Sequence, residues 1–166
     1  MHFSDYIISK MFEVILATDM RRGIGKNNRL PWKYQEELRL FKRKTMGHVL
    51  IVGKTTYKSL PSLKGRTVLY LSRTENHENS FNSLDKALEF AKNKYPQKKV
   101  FIAGGASLYN QVFKEPDQIE KLHWSIVNGV YDCDTHVDDL IMKGWKVKDE
   151  KMYKNFMHTV YTRAAT

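Results

Sequence analysis

The sequence has a single cysteine, Cys133. An internal disulfide is excluded, which fits a reducing compartment and predicts a cytoplasmic protein. No apolar stretch reaches the length of a membrane-spanning helix. The longest, such as Val14 to Ala17 and Val49 to Val52, have strand length. The first eleven residues lack the basic region and long apolar stretch of a secretory signal. Internal repeats, low-complexity tracts and Gly/Ser linkers are missing too. With 166 residues, these absences leave one domain large enough to bury a hydrophobic core. Acids are in deficit, 18 Asp and Glu against 28 Lys and Arg, for a net charge of +10. The excess suits nucleic acid, a phosphorylated cofactor or a carboxylate-bearing substrate, and a merely basic, soluble surface accounts for it equally well.

What is present is an alternation of strand and helix patterns. Met11 sits directly before the first strand pattern, so residues 1–10 read as an N-terminal extension and 11–166 as the domain. Phe12 to Thr18, His48 to Val52, Thr67 to Ser72 and Val100 to Ala103 read as buried strands. Between them lie a polar loop from Asp19 to Trp32, a helix around Glu37, a short helix from Lys54 to Leu60, a polar connection from Arg73 to Ser83, and a stripe of Leu84, Ala87, Leu88 and Ala91. A helix from Ser107 to Lys114 follows. Ile119 to Val127, Gly144 to Lys148 and Phe156 to Arg163 then read as strands without comparable helices between them. The pattern predicts an α/β fold: a single, mostly parallel central sheet of about eight strands, antiparallel at its C-terminal edge, with flanking helices.

In open sheets of this kind ligands bind beyond the carboxyl ends of the strands. Three such ends suit an anion. Gly53-Lys54-Thr55-Thr56 offers free backbone N–H groups, two hydroxyls and a lysine. His48 stands where a triphosphate-binding loop needs its first glycine, which excludes that motif. Gly104-Gly105-Ala106-Ser107 lets a pyrophosphate approach bare backbone, although the standard dinucleotide fingerprint is missing. Ser72-Arg73 adds a guanidinium suited to phosphate. Each alone is compatible with an ordinary cap or turn; together they suit an extended, multiply phosphorylated cofactor. Asp132 to Asp138 is too crowded with carboxylates, and too short of Cys and His, for a zinc site; it reads as a polar loop, and no metal is expected.

On the helix, Tyr34, Leu38 and Phe41 recur at the spacing of a buried stripe. Glu37 falls on the wheel between Leu40 and Phe41, at the margin of that stripe, while Glu36 points into solvent. An ionised carboxylate aimed at an apolar interior is costly unless it is paired or used.

From Phe12 to Tyr161 the chain resembles the dihydrofolate reductase family. The likeness rests on Val14-Ile15-Leu16-Ala17, Gly23-Ile24-Gly25, Leu30-Pro31-Trp32, the helix around Glu37, Gly53-Lys54-Thr55-Thr56-Tyr57, Leu63-Lys64-Gly65-Arg66, Leu71-Ser72-Arg73, Ala103-Gly104-Gly105-Ala106, Tyr109 and Asp134-Thr135-His136, in that order. It implies reduction of 7,8-dihydrofolate by NADPH, inhibition by antifolates, and a monomer that binds neither membrane nor nucleic acid. By the resemblance Glu37 is the acid of the pteridine pocket, Ser125 a hydroxyl bonded to it, and Trp32 a third catalytic residue. Ile15 and Ala103 would offer backbone carbonyls to the pterin. Leu16, Ala17, Leu38, Phe41 and Tyr109 would surround it, Leu60 and Leu63 would line the aminobenzoyl channel, and Arg66 would grip the glutamate carboxylate. On the cofactor side it implies Lys54, Thr55, Thr56, Ser72 and Arg73 for phosphate and adenosine, and Gly104-Gly105 as a pair joined by a cis peptide. Ala17, Ile24, Gly53, Leu71, Ala106, Ser107, Leu108, Tyr109 and Thr135 complete that side. The Asp19 to Trp32 loop would be a lid bending at Gly23 and Gly25. Tyr57, Ala103 and Ser125 depart from the family's usual tryptophan, larger aliphatic and threonine. A riboflavin-pathway-type pyrimidine reductase or a basic nucleic-acid module on the same fold are the alternatives.

Overall fold

The computed structural model describes residues 10–26, 30–137 and 144–163; the expected extension, but for Lys10, lies outside them. The strands are β1 (Phe12–Thr18), β2 (Gly23–Gly25), β3 (Val49–Gly53), β4 (Thr67–Leu71), β5 (Ser80–Phe81), β6 (Val100–Ile102), β7 (Ile119–Val127), β8 (Thr135–His136), β9 (Trp145–Met152) and β10 (Phe156–Arg163). The helices are α1 (Gln35–Thr45), α2 (Lys54–Ser59), α3 (Leu84–Lys94) and α4 (Ala106–Phe113), with a 3-10 turn at Pro116–Gln118. Eight strands form one sheet in the order β5-β4-β3-β6-β1-β7-β10-β9. The pairs from β5 across to β7 are parallel, and β10 is antiparallel to both β7 and β9. From β1 the chain runs outward to β3, β4 and β5, returns to fill the gap with β6, and crosses to β7 on the far side of β1.

Side chains alternate across each strand, and the alternation divides the core in two. Phe12, Val14 and Leu16 of β1 join Val49, Ile51, Val100 and Ile102 beneath the apolar stripes of α3 and α4. The opposite face of β1 carries Glu13, Ile15 and Ala17. Ile15 packs with Leu50, Phe101, Phe41, Leu63 and Ala103, and Ala17 with Trp32, Leu40, Val127 and Phe156. Thus α1 covers one face of the sheet, and α3 and α4 the other.

Three expectations change. The loop from Asp19 contains β2, which pairs with β8 as a separate two-stranded ribbon. The polar connection after Arg73 contains β5, a parallel edge strand. The strand expected at Gly144 to Lys148 runs instead from Trp145 to Met152. Its side chains are almost all exposed, so its length is set by hydrogen bonding to β10 and leaves no apolar signature.

Candidate functional site

α1 begins at Gln35 and is charged as its dipole prefers, with Glu36 and Glu37 in its first turn and Lys42, Arg43 and Lys44 in its last. It is rotated relative to the expected stripe. Glu37, Leu40 and Thr45 are buried, whereas Leu38 is 48 % exposed. Leu38 shares an edge of the helix with Phe41, which packs on Ile15, Leu63 and Ala103. Phe41 is thus covered where Leu38 is left partly open. Glu37 is 8 % exposed, and no hydrogen bond or ion pair engages its carboxylate among the described residues. Burial alone pushes its pKa up to about 7.

Several expected pocket residues come together on the face of the sheet that α1 covers. Ile15, Phe41, Leu63 and Ala103 share one cluster, and Ala17 and Trp32 the neighbouring one. Trp32 is buried, tilted against Tyr131 at 5.4 Å, and its indole N–H has no partner among the described residues. Tyr109 on α4 reaches through to the same region, its hydroxyl donating to the Ile15 carbonyl at 2.7 Å. Burial drives the Tyr109 pKa far above the usual phenol range, so it remains a donor. Arg66 is half-buried; its Nε donates to Lys64 O at 3.3 Å and its Nη1 to Thr45 Oγ1 at 3.4 Å. No carboxylate faces it among the described residues, which leaves guanidinium N–H groups for an external anion. Leu60, half-buried, caps α2.

Two expected roles are not met. The Leu16 side chain points into the core on the opposite face of β1, so only its backbone borders the pocket. Ser125 does not bond Glu37: its Oγ lies 2.7 Å from His158 Nδ1. The register places His158 opposite Ser125 on β10, within reach of a short serine side chain. His158 was not legible as a site residue, because nothing in its own strand indicates which residue it will face. Burial drops its pKa to about 3, so it is neutral.

Deeper under α1, β1 and β7 juxtapose Glu13 and His123. His123 Nε2 lies 2.7 Å from Glu13 Oε1, and Lys44 Nζ lies 3.0 Å from His123 Nδ1. Burial lowers the His123 pKa and keeps the ring neutral. Burial works to raise the Glu13 pKa, but the His123 hydrogen bond and nearby lysines outweigh it and hold the group below the ordinary carboxylate range. Only one tautomer satisfies all three: the Lys44 ammonium donates to Nδ1, and Nε2–H donates to the Glu13 carboxylate.

At the strand ends, β3 and β6 adjoin. Gly53 N donates to Gly104 O at 2.8 Å, and the Gly104–Gly105 peptide is cis, as the resemblance implies. A Cβ on Gly105 would come within 3.1 Å of Thr56 Oγ1, and Gly104 has φ +128, so this turn presents bare backbone. Lys54, Thr55, Arg73 and Ser107 are exposed, and Arg73 has no partner among the described residues. Thr56, Leu71 and Ala106 are half-buried nearby, Ser72 is buried, and Leu108 belongs to the core, where it anchors α4. The bare backbone, Arg73 and Lys54, the last shared with Glu75 at 3.5 Å, fit a multiply phosphorylated ligand.

The lid is more ordered than its composition suggests. The Asp19 carboxylate accepts from the N–H groups of Arg21 and Gly23, each at 2.8 Å, and of Tyr131 at 2.9 Å. Lys26 is ion-paired with Asp132, and the Tyr34 and Tyr131 hydroxyls are hydrogen-bonded. Thr135 lies opposite Gly25, and Ile24 is half-buried against the core. The bend falls on Arg22, with φ 63, rather than on Gly23 or Gly25. What Gly23 supplies is room, since a Cβ there would lie 2.5 Å from Cys133 Sγ. Residues 27–29 of the lid lie outside the described residues.

Comparison with known proteins gives this geometry its relatives. A family model described as dihydrofolate reductase matches residues 11–164. The type 8 dihydrofolate reductase of Escherichia coli is 33 % identical over 162 residues, covering 89 % of this chain and 92 % of that protein. A bifunctional dihydrofolate reductase-thymidylate synthase of Paramecium tetraurelia is 28 % identical over 152 residues, and the match spans 32 % of that longer protein. In fold, the chain is similar to an Enterococcus faecalis dihydrofolate reductase solved with NADP(H) and RAB-propyl. The TM-score is 0.78 at 23 % identity, over 95 % of this chain and 98 % of that one.

Proposed function

The chain belongs to the dihydrofolate reductase family, and from that premise we infer that it reduces 7,8-dihydrofolate to 5,6,7,8-tetrahydrofolate with NADPH. The family match favours this reaction over the pyrimidine-reductase and nucleic-acid alternatives. The observation that carries the reading is Glu37, a buried carboxyl without a partner among the described residues and with its pKa pushed up to about 7. Such a group is poised to change protonation at working pH. Ionised, it accepts from paired N–H groups on a pterin and favours protonation of the ring. Tyr109 keeps its proton and fixes the Ile15 carbonyl, whose second lone pair stays available to the substrate. The Trp32 N–H, without a partner among the described residues, would satisfy itself on the pterin or on a water bound with it. Leu38 and Phe41 would offer apolar walls to the pterin, and Leu60 and Leu63 to the aminobenzoyl group.

NADPH, when bound, supplies the hydride. Lys54, Thr55, Thr56, Ser72 and Arg73 would hold its phosphates and adenosine, and Gly53, Gly104, Gly105 and the first turn of α4 its pyrophosphate. Ala17, Ile24, Leu71 and Thr135 would line its flanks. The anchored first half of the lid holds its hinge still, so that closure excludes water from the reacting atoms. A cytoplasmic monomer that binds antifolates and no nucleic acid completes the proposal. The single cysteine supports the reducing compartment.

The test is loss of NADPH absorbance on adding dihydrofolate, with methotrexate as inhibitor; no turnover at micromolar enzyme would overturn the reading. A second test addresses Arg66. Arg66→Leu is expected to raise the Kd for folate by about 10²-fold, the scale of a lost charge-assisted pair, while leaving NADPH affinity within about twofold. Equal losses for both ligands would remove the carboxylate-gripping role.

A further inference from the structure

We propose that Glu75 sets how far this protein prefers the 2′-phosphorylated nicotinamide cofactor, by competing with the 2′-phosphate for Lys54 and Lys58. The inference rests on the reading that the β3 and β4 ends hold the cofactor's phosphates and adenosine. Glu75 lies in the turn just beyond β4. Ser72 Oγ accepts from the N–H groups of Thr74 at 3.3 Å and Glu75 at 3.0 Å, which pins that turn. The Glu75 carboxylate accepts from the Tyr70 hydroxyl at 2.5 Å and lies 3.1 Å from Lys58 Nζ and 3.5 Å from Lys54 Nζ. Tyr70 is itself 2 % exposed and stacks on Tyr57 at 4.0 Å, so the acceptor is held by a fixed donor. One loop acid thus ties together a buried strand residue and two lysines of α2.

The chemistry of this arrangement is mixed. A carboxylate beside an adenosine ribose accepts from a free 2′-hydroxyl and repels a 2′-phosphate, whereas cations favour the phosphate. Here Lys54, Lys58 and Arg73 provide three cations, and Glu75 neutralises part of their charge. The Tyr70 hydrogen bond, then Lys58, holds its pKa down to about 2, so it remains a carboxylate throughout the working pH range. A 2′-phosphate must draw Lys54 off Glu75 and then sit near a like charge; an unphosphorylated cofactor meets neither cost. The preference for NADPH over NADH is therefore narrower than the three cations alone would give.

The experiment is direct binding of NADPH and NADH to the wild type, Glu75→Gln and Glu75→Asp, read by quenching of tryptophan fluorescence. Adenosine 2′,5′-bisphosphate and 5′-AMP, read by calorimetry, serve as smaller probes. Glu75→Gln keeps an acceptor for Tyr70 but loses the charge. It is expected to tighten NADPH and the bisphosphate by about three- to tenfold, the scale of a partly exposed ion pair, with NADH and 5′-AMP changed less than about twofold. Glu75→Asp is expected to keep a ratio near the wild type. An unchanged NADPH-to-NADH ratio in Glu75→Gln would overturn the proposal, and so would weaker NADPH binding, which would make the acid an organiser of the lysines. Wild-type protein that binds neither cofactor would remove the underlying reading and this inference with it.

Discussion

Glu37→Gln is expected to slow dihydrofolate reduction by about 10²- to 10⁴-fold at pH 7, the range for loss of a positioned acid–base group. The deficit should shrink toward pH 5, where bulk acid protonates the substrate without help. The same substitution is expected to stabilise the fold at high pH, which separates a chemical role from a structural one. The folded-state pKa of Glu37 is about 7, against an ordinary 4.5. Between those values the folded protein binds the extra proton, so stability falls as pH rises through that window and levels off above it. The full cost of ionising the buried group is about 3 kcal/mol. Glutamine cannot ionise and avoids it. The urea midpoint of Glu37→Gln should therefore exceed that of the wild type at pH 8 and match it at pH 4. A variant with wild-type hydride-transfer rates in stopped flow would remove Glu37 from the mechanism. A midpoint lower than wild type at pH 8 would show a hidden partner.

The largest expected loss of stability comes from His123→Phe. The neutral ring links a cation to an anion, Lys44 to Glu13, inside the face covered by α1. Phenylalanine fills much of the volume but donates and accepts nothing, stranding Glu13, which is 4 % exposed. Breaking a buried pair in this way costs about 3–5 kcal/mol. In the wild type, Glu13 has a lowered pKa, so its contribution is present above about 4.5 and lost as pH falls through the folded-state value. The penalty of His123→Phe should accordingly be full at alkaline pH and fade as pH falls toward the ordinary carboxylate range, because without His123 burial favours the protonated form of Glu13. Adding Glu13→Gln should recover part of the loss at pH 7. A pH-independent penalty in urea unfolding would mean that shape, not charge, is what His123 supplies.

These two acids show what a linear sequence discloses. Glu37 was legible because its neighbours on one helix, Leu40 and Phe41, mark the buried side. The degree of rotation was not, and so Leu38 was expected inside and is half-exposed. Glu13, His123 and Lys44 lie on three elements, and only the sheet order brings them together. Strands with a continuous apolar or alternating pattern, β1, β7 and β10, were readable to the residue. β2, β5 and β8 were not, since two or three residues become a strand only by having a partner. Ser125 shows the same limit at the site: its hydroxyl was readable, but its partner depends on the register of β10. Glu75 was hidden for a different reason, its charge being unremarkable until Tyr70 and α2 close around it.

The position of β1 has a consequence for how the molecule comes into being. β1 is flanked in the finished sheet by β6 and β7, which follow it by about 90 and 110 residues along the chain. Both of its hydrogen-bonding edges therefore stay open while more than half the chain is made, and an open apolar edge invites pairing with other chains. β3 and β4 can pair early, but they cannot shelter β1. Closure of the pocket, which needs Ile15 from β1 beside Ala103 just past β6, is thus a late event of synthesis. A nascent chain stalled before Val100 carries most of the ligand-facing residues and has no pocket in which to use them.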